Sequence, residues 1–435
     1  MLAVIYTGRR KSAKLDLEAV EMATRAAMHQ AGAALLSQLL SDSEPPPEAV
    51  PCDCGHSARY HDSRPKQILT VVGAVEFERA YYYCPHCHHG QSPRDRELDV
   101  EATAYSPGVR RMIGVVGSET SFEHGREQLE LLAGLTLTAK AVERQSEAIG
   151  ADIAAREQTQ IERAKQLELP EVCAPAAPTL YVEMDGTGVP ASKAATAGRA
   201  GKRDGQPART REVKLGCVFT QTTTTEAGRP VREEDSTTYT AAIETAAEFG
   251  LRIYTEAWRR GWCRAKQKVV IGDGAVWIWN LADQHFPGAV QIVDLYHARQ
   301  HLWELSAKLF PDDEKERERW TLPVVDQLND GQIEELVRTL RQFPTTNKEL
   351  AHLISNEAEY FERNAERMRY PSFRDQEFFV GSGVVEAGCK TVIGSRLKRS
   401  GMFWSVQGAN AIAALRCCRL SRNFEDYWEA RSSAA

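Results

Sequence analysis

No stretch of this 435-residue chain approaches the roughly 20 consecutive apolar residues that a membrane-spanning helix needs. The opening MLAVIY is a very short apolar run with its charges behind it, the reverse of a secretory leader, so a cytoplasmic protein is expected. A basic excess is missing too. The formal charge of −6 weighs mildly against a nucleic-acid partner, because non-specific affinity comes from neutralising phosphates with Lys and Arg. Cysteine is scarce: ten in a chain this long exclude a disulfide scaffold. What is there, 42% hydrophobic and 26% charged residues, is the make-up of a soluble globular protein, and the length implies two or three domains.

Three acidic residues carry the most information: Asp185 in LYVEMDGTGV, Asp273 in KVVIGDGAVW and Glu386 in VGSGVVEAGCK. Asp185 and Asp273 each close an apolar, β-branched run and precede Gly, which puts a carboxylate at the end of a buried strand where the backbone turns away. Glu386 lies in a segment that reads as helical from Val384 to Ile393, after the flexible Gly381-Ser382-Gly383. Two strand-borne Asp and one helix-borne Glu can converge on hard divalent ions, Mg2+ or Mn2+, which take oxygen ligands. Two such ions roughly 3.5 to 4 Å apart activate a water or 3′-hydroxyl and stabilise the leaving oxygen of a phosphodiester. The pattern therefore points to a nucleic-acid strand-transfer enzyme, against the alternative that each acid is an ordinary turn or cap residue.

Charge distribution qualifies the acidic total. Residues 381 to 423 carry Lys390, Arg396, Lys398, Arg399, Arg416, Arg419 and Arg422 against the single acid Glu386, a local basic footprint. Residues 191 to 212 form a Gly-, Ala- and cation-rich stretch with Lys193, Arg199, Lys202, Arg203, Arg209 and Arg211, read as a mobile loop that closes over DNA or as a solubilising loop. Trp404, beside Lys398 and Arg399, is suited to stacking on an unpaired base; packing with Met402 and Phe403 is the alternative.

Four cysteines are grouped and six are scattered. Cys52 and Cys54 in PCDCGH face Cys84 and Cys87 in CPHCHH across an alternating run, ILTVVGAVEFERAYYYC, that breaks at Gly73 and reads as a β-hairpin. That is the layout of a zinc ribbon with four thiolate ligands, although Cys-x-Cys is tighter than the usual Cys-x2-Cys. His56, His86, His88 and His89 are substitute ligands, and hairpin ends that bind nothing are the opposing reading. Cys173, Cys217, Cys263, Cys389, Cys417 and Cys418 read as core residues or inert thiols.

The segments follow in order. Residues 1–45 hold a helix ended by SDSEPPPEAVP; 46–100 the ribbon-like module; 101–172 a helical module. Within it EQLELLAGLTLTAKAVERQSEAIG reads as two helices joined at Ala133-Gly134-Leu135 with Thr136 or Thr138 as N-cap, either a DNA-reading helix-turn-helix or a plain helical hairpin. Strands are expected near 179–184, 213–220, 235–239, 268–272 and 289–293, with helices near 240–260 and 275–285. Three strands, helix, strand, helix, strand is the order of a ribonuclease H core, placed here at 173–298. A helical insertion at 299–375 precedes core completion at 376–435. The fold class is thus α/β: a ribonuclease H-like catalytic core with a helical insertion, plus N-terminal zinc-ribbon and helical DNA-binding modules.

YVEMDGTGV, VVIGDGAVWIWNLADQHFPGA, VDLYHARQHLW, RMRYP and FVGSGVVEAGCKTVIGSRLKRSGMFWSVQGANAIAALR together resemble bacterial insertion-sequence transposases of the Kra type, acid-triad (DDE) enzymes distantly similar to the eukaryotic Mutator-like group. The resemblance implies Asp185, Asp273 and Glu386 as the Mg2+ triad and sets Asp294-x-x-His297 on the Asp/Cys-x2-His motif of the Mutator-like relatives. It also implies transposon terminal inverted repeats and target DNA as partners, a homodimer or higher oligomer, and a bacterial, nucleoid-associated location. His297 is read as orienting a ligand or phosphate from one turn beyond Asp294, against a simple helix cap at Asp294 with His297 donating to a backbone carbonyl. The expected activity is cleavage at the transposon ends followed by attack of the freed 3′-hydroxyl on target DNA. A metal-dependent nuclease or resolvase on the same core, and a catalytically idle DNA-binding regulator, are the competing functions.

Overall fold

The Ala- and Leu-rich N-terminal sequence forms a 25-residue helix, α1 (Leu17–Ser41), in the computed structural model, which describes residues 16–41, 45–168, 172, 176–201 and 206–432. The chain divides into two units, Met1–Ile149 with Phe424–Ala435, and Gly150–Asn423. No helix among the described residues is long and apolar enough to cross a membrane.

In the first unit, β1 (Ala49–Pro51), β2 (Ser57–Thr70), β3 (Gly73–Tyr83) and β4 (Gly90–Gln91) form an antiparallel sheet in sequence order. Gly73, at φ 113°, breaks the apolar alternation where the sequence places the turn, and Thr70 pairs with it across the hairpin. Ile68, Val75, Phe77 and Val100 make a small core on which Ala33, Leu36 and Leu40 of α1 pack. Helices α2 (Pro93–Glu97), α3 (Pro107–Glu119) and α4 (Phe122–Gln128) follow. Ser106 and Ser121 cap the last two through Val109 N–H and His124 N–H. A π-helical turn, Leu129–Ala133, and left-handed Gly134 lead to α5 (Ala139–Lys165), whose start is capped by Thr138 Oγ1 accepting from Ala141 N–H at 3.1 Å. The boundary between the units falls within α5.

The second unit is built on β5 (Thr179–Pro190), β6 (Thr210–Thr224), β7 (Pro230–Arg232), β8 (Thr238–Ala242), β9 (Gln267–Gly272) and β10 (Val290–Val293), with α6 (Ala246–Arg259) and α7 (Val276–His285) between the later strands. The sheet order is β10-β9-β5-β6-β7, with β8 also on β6. β5, β9 and β10 run parallel and β6 antiparallel to β5. β5 is buried from Thr179 to Met184, as a central strand covered on both faces must be. Three elements differ from the sequence reading. β5 does not end at Asp185 but runs on to Pro190, because β6 pairs with it over that whole length. The helix expected from 240 begins at Ala246, because Thr245 and Glu248 form a reciprocal capping box and β8 occupies 238–242. The strand β7, returning through left-handed Gly228, had not been anticipated.

After β10 the chain makes α8 (Leu295–Leu309), α9 (Glu314–Asn329), α10 (Ile333–Arg341), α11 (Lys348–Arg363) and α12 (Tyr370–Asp375) before returning to the sheet. The two ends of this excursion meet, Leu295 N–H donating to Val380 O at 2.9 Å. Then come α13 (Gly383–Gly388), a π-helical turn (Cys389–Gly394), α14 (Ser395–Leu397) and α15 (Val406–Leu420). α15 is buried almost throughout and passes so close to α5 that a Cβ on Gly150 would stand 1.9 Å from Ala411 O. The last helix, α16 (Phe424–Ser432), belongs to the first unit, where Arg431 and Arg110 both pair with Asp99.

Candidate functional site

Asp185 is the first residue of β5 to emerge from burial, and Gly186 N–H donates back to its Oδ1 at 2.6 Å. Asp273 follows β9 directly and holds the turn by accepting Ala275 N–H at 2.9 Å. Gly274 is required there twice over: φ is 97°, and a Cβ would lie 2.6 Å from the Tyr360 ring. Glu183 pairs with Ile271 in parallel register, so two residues further along each strand Asp185 and Asp273 stand level on neighbours about 4.8 Å apart. Val293 pairs with Gly272, which sets Asp294 at the same level on β10. Three carboxyls thus stand level where the parallel pairing of β5, β9 and β10 stops, Asp185 within β5 and the other two just past their strands.

Glu386 is exposed on the first turns of α13. That helix is fastened to the strands by two wholly buried acids. Glu183 Oε2 accepts Val385 N–H at 2.7 Å, and Asp294 Oδ2 accepts both Ser382 N–H, at 2.6 Å, and the Ser382 hydroxyl. Ser382 Oγ also lies 3.4 Å from Glu386 Oε1. The ligand oxygens of Asp185, Asp273 and Glu386 do not all fall within 4.8 Å of one another.

Burial and the closeness of the acids to one another set the electrostatics. Burial, then the Asp273 carboxylate, push Asp185 above the usual carboxylate range, against the Cys389 thiol and Gly186 N–H that bond its charged form. Burial holds Glu183 up at about 8, helped by Asp294 and Glu386 and opposed by Val385 N–H. Among the described residues no Lys or Arg ion-pairs with Asp185, Asp273, Glu386, Glu183 or Asp294.

Asp294 does cap α8, through Tyr296 N–H and His297 N–H at 2.6 and 3.0 Å, while its other oxygen serves α13. His297 does not bond a backbone carbonyl. Its Nε2 lies 3.3 Å from His301 Nε2, and His301 Nδ1 lies 2.8 Å from Glu357 Oε2 on α11. Tyr360 stacks on His301 at 4.2 Å and donates to Asp273 O at 3.1 Å, so α11 braces the second strand end. Cys389, read as an inert thiol, donates to Asp185 Oδ2 at 3.2 Å. Its place one turn beyond Glu386 was the available signal, as was the two-residue offset of Glu183 from Asp185.

The cations divide. Lys390, Lys398 and Arg399 are exposed, and Lys398 Nζ donates to Thr187 Oγ1, two residues from Asp185. Lys193 and Arg199 are exposed as well, whereas Lys202 and Arg203 lie outside the described residues. Arg396 corrects the sequence reading: it is fully buried, with its guanidinium 5.1 Å over the Trp404 ring and Nη1 on Met402 Sδ, and it presents nothing to a phosphate. Trp404 is also a core residue, 6% exposed, with Nε1–H donating to Leu397 O and its backbone paired with Pro190 and Ser192. The exposed aromatic of this turn is Phe403, at 71%. Trp404→Ala should therefore cost about 3–5 kcal/mol in urea unfolding, and Phe403→Ala less than about 0.5 kcal/mol.

The grouped cysteines do converge. Cys52 and Cys87 sulfurs are 3.6 Å apart, Cys54 and Cys84 likewise, and all four lie within 4.8 Å of one another. A tetrahedron with zinc–sulfur bonds of about 2.3 Å has edges of about 3.8 Å, so the set fits a zinc ion, whereas a disulfide of about 2.05 Å is excluded. Tight turns close the knuckles: Gly55, at φ 81°, returns its N–H to Cys52 O, and His88, at φ 59°, returns its own to Cys84 O. The Cys87 N–H and its neighbours bring Cys84 down to about 6. Cys87 is drawn down by His89 N–H, but desolvation and the three other thiols outweigh that and hold it up at about 12. Four thiolates crowded this closely need a cation. Cys54, His56 and His86 form a second, overlapping donor group in which the two imidazoles stack at 3.6 Å. Of the scattered cysteines, Cys217, Cys417 and Cys418 are buried, Cys263 is exposed, and Cys173 lies outside the described residues.

No protein-family model and no curated protein matches the chain. Among solved structures it is similar to the Drosophila P element transposase strand transfer complex, at 9% identity over 77% of this chain and 84% of that one, with a TM-score of 0.26. At those values the likeness is weak.

Proposed function

We propose that the chain is an acid-triad DNA transposase of the Kra type, with a ribonuclease H-like core in which Asp185, Asp273 and Glu386 hold divalent ions. One observation carries the reading: two aspartates stand level on the neighbouring parallel strands β5 and β9, a glutamate-bearing helix is latched to β5 and to Asp294 after β10, and among the described residues no Lys or Arg ion-pairs with these acids. The strand order β8-β6-β5-β9-β10, with β6 alone running antiparallel to the others, supports the core assignment. Oxygen-only donors suit Mg2+ or Mn2+. Ligands on opposite sides of an ion pair spaced about 3.5–4 Å need not touch, so the separation of the three acids is compatible with shared coordination. When bound, the ions supply an activated water or 3′-hydroxyl and a stabilised leaving oxygen.

The protein's own part is positioning. β5 and the end of β9 fix two acids, the latched helix presents the third, and Lys390, Lys398 and Arg399 grip backbone phosphates beside them. Residues 1–45, 46–100 and 101–172 recognise and pair the element ends, 173–298 and 376–435 carry out the chemistry, 299–375 is an insertion, and the working form is a homodimer or larger.

The test uses the purified chain, a labelled duplex carrying the terminal repeats that flank the reading frame, and a supercoiled plasmid, with Mg2+ or Mn2+. The expected product is labelled end joined to plasmid. Cutting without joining would leave a nuclease on the same core, and tight end binding without metal-dependent turnover would leave a regulator.

A further inference from the structure

Glu386 reaches the strand ends after an excursion of five helices, so nothing in local sequence fixes its distance from Asp185 or Asp273. Something must return the helix to register. Besides the Leu295–Val380 bond and the Cys389 thiol on Asp185, two contacts at the first turn of α13 are made by acid side chains with no exposed surface. Asp294, at the end of β10, takes the N–H and hydroxyl of Ser382, the residue that precedes the helix. Glu183, on β5, takes the N–H of Val385, the residue before Glu386.

Glu183 is an expensive way to fill that position. Its Oε2 has the Val385 N–H at 2.7 Å and a long contact from Cys217 Sγ at 3.8 Å, while Oε1 is buried with no partner at all. On its face of the sheet, Tyr181, Cys217 and Val385 are apolar or aromatic and fully buried. A leucine there would remove the orphaned oxygen and pack with its neighbours, so stability alone does not account for a carboxylate. Its side chain shares a strand face with Asp185, since the two are two residues apart on β5.

We propose that Glu183 and Ser382 are positioning residues for Glu386: the buried Glu183 carboxyl and the Asp294–Ser382 pair clamp the first turn of its helix against β5 and the end of β10. The inference rests on the proposed acid triad and adds to it the device that assembles it. A hydrogen-bond acceptor is what the clamp requires of Glu183, so the amide variant retains it and an aliphatic one does not. Supporting groups around metal ligands typically matter by about 10- to 100-fold in affinity or rate.

Glu183→Gln, Glu183→Leu and Ser382→Ala are compared with the unaltered chain in three measurements: thermal unfolding without metal, Mn2+ binding followed by the loss of the free Mn2+ electron-paramagnetic signal, and the Mg2+ concentration that half-saturates end cleavage. Glu183→Leu is expected to unfold at or above the parent temperature, to bind Mn2+ about tenfold more weakly and to cleave about 10²-fold more slowly. Ser382→Ala should move in the same direction by a smaller factor, and Glu183→Gln should stay within about threefold of the parent. Should Glu183→Leu not fold, Ser382→Ala carries the comparison. Parent-like Mn2+ binding and cleavage in a folded Glu183→Leu, or in Ser382→Ala when the leucine variant does not fold, overturns the clamp and leaves the triad standing. Equal damage in the Gln and Leu variants also overturns it. A parent chain that binds no Mn2+ and cuts nothing overturns the triad itself.

Discussion

Asp185→Asn and Asp273→Asn, and Glu386→Gln with them, should each lower end cleavage by about 10³-fold, the scale on which removal of one preorganised charge-stabilising group is felt, while end binding is retained. The amides keep the shape of the acids and the turn hydrogen bonds that Gly186 N–H and Ala275 N–H donate to them. What they lose is negative charge, and that makes a second readout possible. Asp185 is held above its ordinary value by burial and by Asp273. A carboxyl raised in the folded state contributes stability that is complete below its unfolded value, about 3.9, and is lost as pH climbs through the folded one. At neutral pH the native chain therefore carries a penalty that Asp185→Asn does not. The variant should unfold at a higher temperature than the parent near pH 7, and the gap should close towards pH 4. Mg2+ should raise the melting temperature of the parent and leave the variant nearly unmoved. A variant that is less stable at pH 7, or equally stabilised by Mg2+, would take Asp185 out of the ion-binding set.

Removal of zinc should have the other large effect. The chain is expected to carry one zinc, held by Cys52, Cys54, Cys84 and Cys87. Around them only Ala58 and Tyr82 are buried in the same cluster, with Val50 and Ala80 packed on it, which is far too little apolar surface to hold the knuckles. Structural zinc in small modules contributes on the order of 10–16 kcal/mol of apparent binding energy, most of it spent on folding. Chelation, or Cys84→Ser, should therefore open this end of the hairpin, and trypsin should cut at Arg59 and Arg79. Cys54 belongs to both donor groups, so Cys54→Ser should lose zinc at least as completely as Cys52→Ser, which leaves Cys54, His56 and His86 in place. Zinc content by mass spectrometry and the tryptic pattern read both outcomes. Full zinc occupancy in Cys84→Ser would remove the four-thiolate site.

Features set by backbone chemistry were legible in the sequence. Gly73 marks a turn because its conformation excludes a side chain, Thr138 caps a helix because its hydroxyl meets a free N–H, and the Asp-Gly pair after a β-branched run marks the end of β9 at 273, whereas at 185 the strand runs on to Pro190 because β6 continues to pair with it. Features set by what packs against a residue from far away were not. Arg396, Arg416 and Trp404 read as a nucleic-acid patch, yet all three are buried. Arg416 is drawn inward by the carbonyls of Thr391 and Val392 in the π-helical turn after α13, and Arg396 and Trp404 pack on each other. Nothing in the run CKTVIG announces that turn. For Cys389 and Glu183 residue type carries no signal, and only the spacing of each from the neighbouring acid marks it.

The joined ends of the five-helix excursion have a bearing on how such a chain can vary. Leu295 and Val380 exchange a backbone hydrogen bond at the very point of departure. Material added to or trimmed from the far side of that loop of helices leaves the path from β10 to α13 unchanged, so lineages are free to enlarge, shrink or swap it as a graft, provided the stretch of α11 with Glu357 and Tyr360 still reaches back to the strand ends.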